Sequence, residues 1–395
     1  MAKALSGLRV LGVTRMLAGP YAEMLLADMG AEVIHVELPG VGDDSRHFAP
    51  LINGEGSCFI ASNRNKKSIT LDLRKEEGKE VFKDLVKISD IVFENNRPGT
   101  MDKWGIGYEQ LKQINPGIIM TSISGFGQSG PYKDRAGLDI IAQAMGGLMF
   151  MTGEKDGPPT RTGNAMGDFL GALYAVYGTL SALYYREKTG LGQHVDAALL
   201  DSVIAVLENV IPNYSTLGTI TTRMGSRIPG VAPYNRYQAK DGYVVIGVSS
   251  NVLWERFAKA IGNPELIDDP RFSSPSLRVS NVDEVDKITQ EWVSTKTVEE
   301  VVEILNDAGV ICGPIYSVDK LIEDPHIKAR EMVVEIEHPV IGKYKHSGIT
   351  PKLSLTPGSV DSPPPLLGQH NDEIYRGLLG YSDEKVKALK EKGVI

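Results

Sequence analysis

Cysteine is nearly missing from this chain of 395 residues: there are two, Cys58 and Cys312, far apart and with no second thiol or histidine at metal-ligand spacing. Neither a disulfide framework nor a zinc site is implied, no metal is expected, and both thiols read as core residues. Long apolar runs are missing too. No stretch approaches the roughly 20 residues needed to cross a bilayer, and Met1 to Leu11 is too short and too polar for a secretory signal, so a cytoplasmic protein is expected. Net positive charge is also lacking. A formal charge of -8 argues against a protein whose main partner is a nucleic acid backbone, although one anionic ligand would need only a local basic pocket.

What is present is ordinary for a folded protein: 42% hydrophobic and 23% charged residues, with no low-complexity tract. The length exceeds what a single core supports, which predicts two domains. Arg9 to Val13, Pro20 to Met29 and Glu32 to Val36 read as strand, helix and strand. The pattern recurs in Ser68 to Leu73, Glu76 to Ile88, Ile91 to Glu94, Tyr108 to Ile114 and Ile118 to Ser122. Such alternation predicts an α/β fold, a Rossmann-like large domain with helices on both faces of a parallel sheet. A long helix from Asp168 to Arg186, a strand from His194 to Ala198 and a helix from Leu199 to Val210 follow. Residues 1–210 form the first part of the large domain in this reading. Residues 211–228 are a linker, 229–319 a smaller α+β middle domain with elements at Tyr243 to Val248, Leu253 to Ile261, Val282 to Trp292 and Val298 to Ala308, and 320–332 a second linker. Residues 333–395 return to the large domain, with Val333 to Glu337 strand-like and a charged helix from Asp383 to Lys392.

Three features bear on chemistry. Gly125-Phe-Gly-Gln-Ser-Gly130 has the glycine spacing of a dinucleotide fingerprint but opens into the polar loop Pro131 to Arg135 rather than a helix, so it reads as a glycine turn. Arg46, Arg64, Lys66, Lys67, Arg74, Arg97 and Lys103 lie near strand ends, where they either converge on a phosphorylated ligand or are scattered surface charge. Asp168 follows Gly163-Asn-Ala-Met-Gly167 and precedes an apolar helix, so it reads as an N-cap. That role is compatible with a second one. An aspartate at its ordinary pKa of about 3.9 is an anion at neutral pH and can attack a thioester without a base. His194 has no partner at triad spacing and reads as structural.

The ordered motifs Arg9-Val-Leu-Gly-Val-Thr14, Ala18-Gly-Pro20, Gly30-Ala-Glu-Val-Ile34, Asn65-Lys-Lys-Ser68, Glu94-Asn-Asn-Arg-Pro-Gly99, Gly167-Asp168, Lys188-Thr-Gly-Leu-Gly-Gln193 and Pro364-Pro-Leu-Leu-Gly-Gln-His370 resemble the class III coenzyme A transferases over nearly the whole chain. That resemblance implies an enzyme moving coenzyme A from an acyl thioester to a free carboxylic acid, through aspartyl anhydride and thioester intermediates. It implies no prosthetic group, with coenzyme A as substrate, and an interlocked homodimer. It matches the catalytic aspartate to Asp168, and Asp139 to an acidic residue near the reacting carboxylate. Coenzyme A contacts are implied at Leu17, Ala18, Leu71, Asp72, Leu73, Arg74, Asn95, Asn96, Arg97, Lys103, Ala136, Gly137 and Leu138. Where formyl-coenzyme A transferases carry arginine this chain has Leu38, and Arg46 is the candidate to compensate. The glycine-rich loop of those enzymes has no counterpart in Pro229 to Val248, which favours some other acid. The racemases of the same fold have a histidine where this chain has Leu138. An acyl-CoA isomerase, a non-catalytic acyl-CoA binding protein and a nicotinamide-dependent dehydrogenase are the rival readings.

Overall fold

Strands built from Val- and Ile-rich runs are apolar on both faces, and they can be buried only if helices cover the sheet above and below. The computed structural model, which describes residues 2–395, has that arrangement. The chain groups into two compact units. One comprises the residues up to Leu148 with Arg161–Thr216 and Lys328–Ile395; the other comprises Met149–Thr160 with Leu217–Ile327.

In chain order the strands of the larger unit are β1 (Arg9–Val13), β2 (Glu32–Glu37), the two-residue pair β3 (Leu51–Ile52) and β4 (Glu55–Gly56), β5 (Lys66–Thr70), β6 (Ile91–Glu94), β7 (Ile119–Ser124) and β8 (His194–Ala198). Six of them form one sheet in the order β5-β2-β1-β6-β7-β8, every pair parallel. The chain leaves β1 in one direction to β2 and β5, then returns to β6 on the other side. The switch point between β1 and β6 is where open sheets of this kind form a ligand crevice at the C-terminal strand ends.

Helices follow as α1 (Ala18–Asp28), α2 (Ser57–Ser62), α3 (Glu76–Lys87), α4 (Thr100–Lys103), α5 (Tyr108–Ile114), α6 (Asp139–Met145), α7 (Leu148–Met151), α8 (Met166–Thr189), α9 (Leu199–Ile204) and α10 (Val210–Leu217). Small residues of α1 (Ala22, Ala27) and α8 (Ala172, Ala175, Ala182) pack on Val10, Ile91, Phe93 and Ile119, so these two helices lie close to one face. Val81, Phe82 and Leu85 of α3 and Leu111 of α5 cover the other face, joined by Ile374, Tyr375 and Val386 from the chain end.

The smaller unit carries an antiparallel sheet of β9 (Tyr234–Gln238), β10 (Tyr243–Gly247) and β11 (Ile311–Pro314), in the order β11-β10-β9. Its core joins Val244 and Ile246 to Trp254, Phe257, Val285 and Leu305 from α11 (Asn251–Ala260), α13 (Val282–Val293) and α14 (Val298–Asp307), with α12 (Pro275–Ser280) ahead of α13. In the returning segment of the larger unit, β12 (Val333–His338) pairs with β13 (Gly342–Ser347).

Several boundaries differ from the sequence reading. The expected linker 211–228 begins inside α10, and Met149–Thr160, read as part of the large domain, groups with the smaller unit. The single helix expected from Leu199 to Val210 is broken after Ile204, with Glu208 at φ 52. The glycine turn is as expected: a Cβ on Gly125 would sit 2.6 Å from the Gly137 Cα, so the glycine serves a close approach of two backbones.

Three charged groups lie wholly inside the larger unit. Lys66 Nζ, without solvent contact, donates to Glu23 Oε2 at 3.0 Å, Pro20 O at 2.8 Å and Asn63 Oδ1 at 2.7 Å. His35 Nδ1 lies 2.9 Å from the same Glu23 oxygen. Replacing Lys66 with methionine removes the ammonium and leaves a buried carboxylate short of a partner, a change that costs about 3–5 kcal/mol. Lys66→Met is expected to lower the thermal midpoint by several degrees in a calorimetric scan; an unchanged midpoint would refute the role given to this pair.

Candidate active site

The C-terminal edge of the sheet collects most of the residues singled out from sequence. Leu17 stands at the N-cap position of α1 and Ala18 opens that helix. Leu71 to Arg74 follow β5 directly, and Asn95 to Arg97 follow β6. Asn95 ties the β1 and β6 loops together, accepting from the Arg15 N–H at 2.9 Å and donating to Arg15 O at 2.8 Å. Asn96 turns inward, its N–H donating to Glu94 Oε2 at 2.8 Å. Arg97 lines a cavity of about 180 Å³ with Glu94, Met101, Tyr108, Ser122 and His194. Within that cavity His194 Nε2 lies 2.8 Å from Ser122 Oγ and its ring stacks on Tyr108, which accords with a structural histidine. Lys103 is exposed at the end of α4, and Ala136, Gly137 and Leu138 form the approach to α6.

The basic residues behave otherwise than expected. Arg64, Lys66 and Lys67 sit at the start of β5, at the opposite edge of the sheet, and the first two are core ion pairs with Asp28 and Glu23. Arg46 corrects the expectation that it reaches a ligand. Its guanidinium is buried, bidentate to Glu37 at 2.7 and 2.8 Å, donating to Pro365 O at 3.0 Å and lying over the Phe59 ring. A side chain so committed has no free face for a phosphate, so Leu38 stands without that compensation. Arg74 folds back on Asp72 with two contacts of 2.8 Å but stays exposed. Arg97 and Lys103 alone of the seven have no charged partner among the described residues.

Asp168 is not the N-cap. Helix α8 begins at Met166 with Ala165 as its cap residue, so Asp168 lies in the first turn. Its position still places it at the right edge: α8 ends just before β8 begins, so its start lies towards the C-terminal strand ends. An edge-on contact of 4.8 Å between Tyr21 of α1 and Phe169 fixes that start against α1. No side chain among the described residues donates a hydrogen bond to the Asp168 carboxylate. Burial, reinforced by the negative charge of Asp139 and opposed by Arg161, pushes its pKa up to about 7. The start of a long helix favours the anion by only about 0.3–1 kcal/mol, less than desolvation costs here. The expectation of an aspartate at its ordinary pKa is thereby revised: burial and Asp139 oppose its ionisation.

Asp139, the other candidate carboxylate, is in the opposite situation. It accepts from Gly167 N–H at 2.8 Å, Arg161 Nε at 2.9 Å and Gln143 Nε2 at 2.9 and 3.0 Å. Sequence reasoning found neither Gln143 nor Arg161, since neither sits in a motif. Nor did it place Cys58 near the site. Its thiol is pushed up by burial and by the charges of Asp43 and Asp168. Among the described residues, no group of three or more His, Cys, Asp or Glu side chains is placed to hold a metal ion, and no helix is long and apolar enough to cross a membrane.

A family profile matches nearly the whole chain. The profile described as CoA-transferase family III covers residues 5–371. The chain belongs to that family. A succinyl-CoA–D-citramalate CoA-transferase of Chloroflexus aurantiacus is 43% identical, covering 100% of this chain and 98% of its own. A formyl-CoA:oxalate CoA-transferase of Streptomyces avermitilis is 39% identical, covering 100% of each. Among solved structures, a CAIB/BAIF family protein from Brucella suis superposes with a TM-score of 0.87 at 38% identity, covering 96% of this chain and 100% of that one. The protein is therefore a CoA-transferase, with CoA thioesters as substrates.

The raised pKa of Asp168 has a consequence for stability. Unfolded, an aspartate titrates near 3.9, whereas the folded group titrates near 7. The fold binds this proton more tightly than the unfolded chain does. The stability so gained is complete below pH of about 4 and is lost as pH rises through 7. Asp168→Asn cannot ionise, so it is expected to be more stable than wild type at pH 8 by about 1–3 kcal/mol, after allowance for partial solvation. Urea unfolding across pH checks this: the gap must close on acidification to pH 4, and equal curves at pH 8 would refute it.

Proposed function

We propose that the enzyme transfers coenzyme A between carboxylic acids with Asp168 as covalent nucleophile. The observation that carries this reading is a partly buried carboxylate free of hydrogen-bond donors at the crevice edge. The anion of Asp168 attacks the donor thioester carbonyl, forming a mixed anhydride and releasing CoA thiolate. The thiolate returns to the aspartyl carbonyl, expelling the donor acid and leaving an aspartyl thioester. The acceptor carboxylate attacks the aspartyl thioester, forming a second anhydride and releasing CoA thiolate, which then attacks the acceptor carbonyl to give the new thioester and return the Asp168 carboxylate. Desolvation strips water from the attacking anion, and binding the nucleotide end of CoA supplies positioning energy to a distant reaction centre.

The CoA contacts in this proposal are Leu17, Ala18, Leu71 to Arg74, Asn95 to Arg97, Lys103 and Ala136 to Leu138, with Arg97 and Lys103 as the cations for phosphate. Succinyl-CoA is the first donor to test, because the relative with 43% identity is named for it. Isomerisation at the α-carbon is disfavoured: Leu138 offers no proton-transferring group.

We also propose that a second copy of the chain completes the assembly as a homodimer. Along α8, Leu173, Tyr174, Tyr177, Leu180, Tyr184 and Tyr185 are all exposed, a run of apolar and aromatic surface too continuous for a lone chain in water. Sedimentation at nanomolar concentration is expected to give one dimeric species; an active monomer would overturn this.

Asp168→Asn keeps the shape and removes the nucleophile. It is expected to fold, to bind CoA and to lose transfer by several orders of magnitude. In wild type, acyl donor plus hydroxylamine should leave a hydroxamate on the peptide containing Asp168, with none in the variant. Near-normal transfer by Asp168→Asn would sink the covalent reading.

A further inference from the structure

Two side chains of α6, one turn apart, hold the whole segment from Arg161 to Gly167. Gln143, fully buried, accepts from the Thr162 N–H at 3.1 Å and its hydroxyl at 3.0 Å, and donates to Asn164 O at 3.3 Å. The same amide nitrogen donates to both oxygens of Asp139, whose remaining positions take the Gly167 N–H and the Arg161 Nε. Arg161 also donates from Nη1 to Thr162 O at 3.1 Å and keeps 37% of its side chain exposed. Every strong acceptor site of Asp139 is thus occupied, which leaves it unable to serve as a base or nucleophile without first breaking this set. Its charge nevertheless lies close to Asp168, one residue past the glycine it holds.

Two like charges beside one another suppress ionisation of the less well solvated one, and a cation on the first relieves that. Asp139 is the better solvated of the two, by four donated hydrogen bonds. We propose that Arg161 is a positioning residue for the transfer reaction: by balancing Asp139 it lets Asp139 fix the start of α8 while Asp168 still presents an anion to the thioester. The proposal rests on Asp168 being the nucleophile. Other groups near Asp168 are the Cys58 thiol of α2 and the Tyr21 ring of α1, packed on Phe169, and the charges that act on Asp168 are Asp139 and Arg161.

The ionisation of Asp168 can be followed without turnover. In enzyme labelled with ¹³C at the aspartate carboxyls, its resonance is the one missing from Asp168→Asn. In Arg161→Gln the midpoint is expected to rise from about 7 by one pH unit or more; in Arg161→Lys, which restores a cation, it should stay near the wild-type value. Asp139→Asn should lower it, and the double variant Asp139→Asn/Arg161→Gln, which leaves no unpaired charge, should titrate below Arg161→Gln. The acid limb of transfer should move with each midpoint, so that Arg161→Gln regains rate at high pH. A midpoint unmoved in Arg161→Gln, or a double variant that titrates with it, overturns the role of Arg161. A uniform loss of rate at every pH does so as well, since that is what a purely structural arginine would give. Failure of the nucleophile reading is distinguishable, because it shows as transfer surviving in Asp168→Asn whatever the resonances do.

Discussion

A carboxylate with no access to water sits where α1 meets three strands, and the larger unit is arranged around it. Glu23 receives the Lys66 ammonium from β5, the His35 ring from β2 and the Thr14 hydroxyl at 2.6 Å from the end of β1. Burial alone would raise its pKa, but the charges of Lys66 and His35 outweigh that and hold it well below the ordinary range. His35 is raised in turn, by Glu23 and Asp43 acting against burial. Such a cluster gains little net stability over apolar packing, yet it is costly to break, so it fixes register more than it adds strength. Space for it comes from Gly12, where a Cβ would lie 2.1 Å from a Glu23 oxygen.

From this locus the site follows by short steps. The cluster sets α1 on β1, β2 and β5; α1 meets α8 through Tyr21 and Phe169 and through facing alanines. With α8 held along its length, its first turn has one position, and Asp139 fixes that turn a second time through the Gly167 N–H. The Asp168 carboxylate is therefore held by a core and a clamp, neither of which depends on its own hydrogen bonds.

Apolar spacing and the turn residues that bound it suffice to place several elements. Ile91 to Glu94, Tyr108 to Ile114 and His194 to Ala198 are found with the bounds expected from sequence. The strands Tyr234–Gln238 and Ile311–Pro314 were not legible, because Tyr-Asn-Arg-Tyr-Gln carries little apolar signal and its pairing with β10 is set by partners far along the chain. Charge was the most misleading guide. Arg46, Arg64 and Lys66 look like solvated or ligand-binding cations until their partners Glu37, Asp28 and Glu23 are brought to them by the fold. Arg161 and Gln143 were invisible for the same reason: what makes them matter is a carboxylate 22 residues away in one case and a loop that closes over α6 in the other.

Set beside its neighbours, Asp168 is the exception. Asp28 and Glu37 each have an arginine, Asp43 accepts the Ser45 N–H at 2.7 Å, and Asp139 has three donor groups. Even Glu94, whose pKa burial raises, is bonded by Asn96. A chain able to satisfy five carboxylates in this way leaves the sixth without a side-chain donor, at the residue we propose as the nucleophile. In the proposed mechanism, donors there would lower its energy in the resting enzyme and lose that advantage on attack, which would tie the cost of ionising Asp168 to its reactivity. Stability at neutral pH and an ionised Asp168 are opposed, and the negative charge of Asp139 beside it, held by Gly167, Gln143 and Arg161, adds to that opposition while Arg161 counters it.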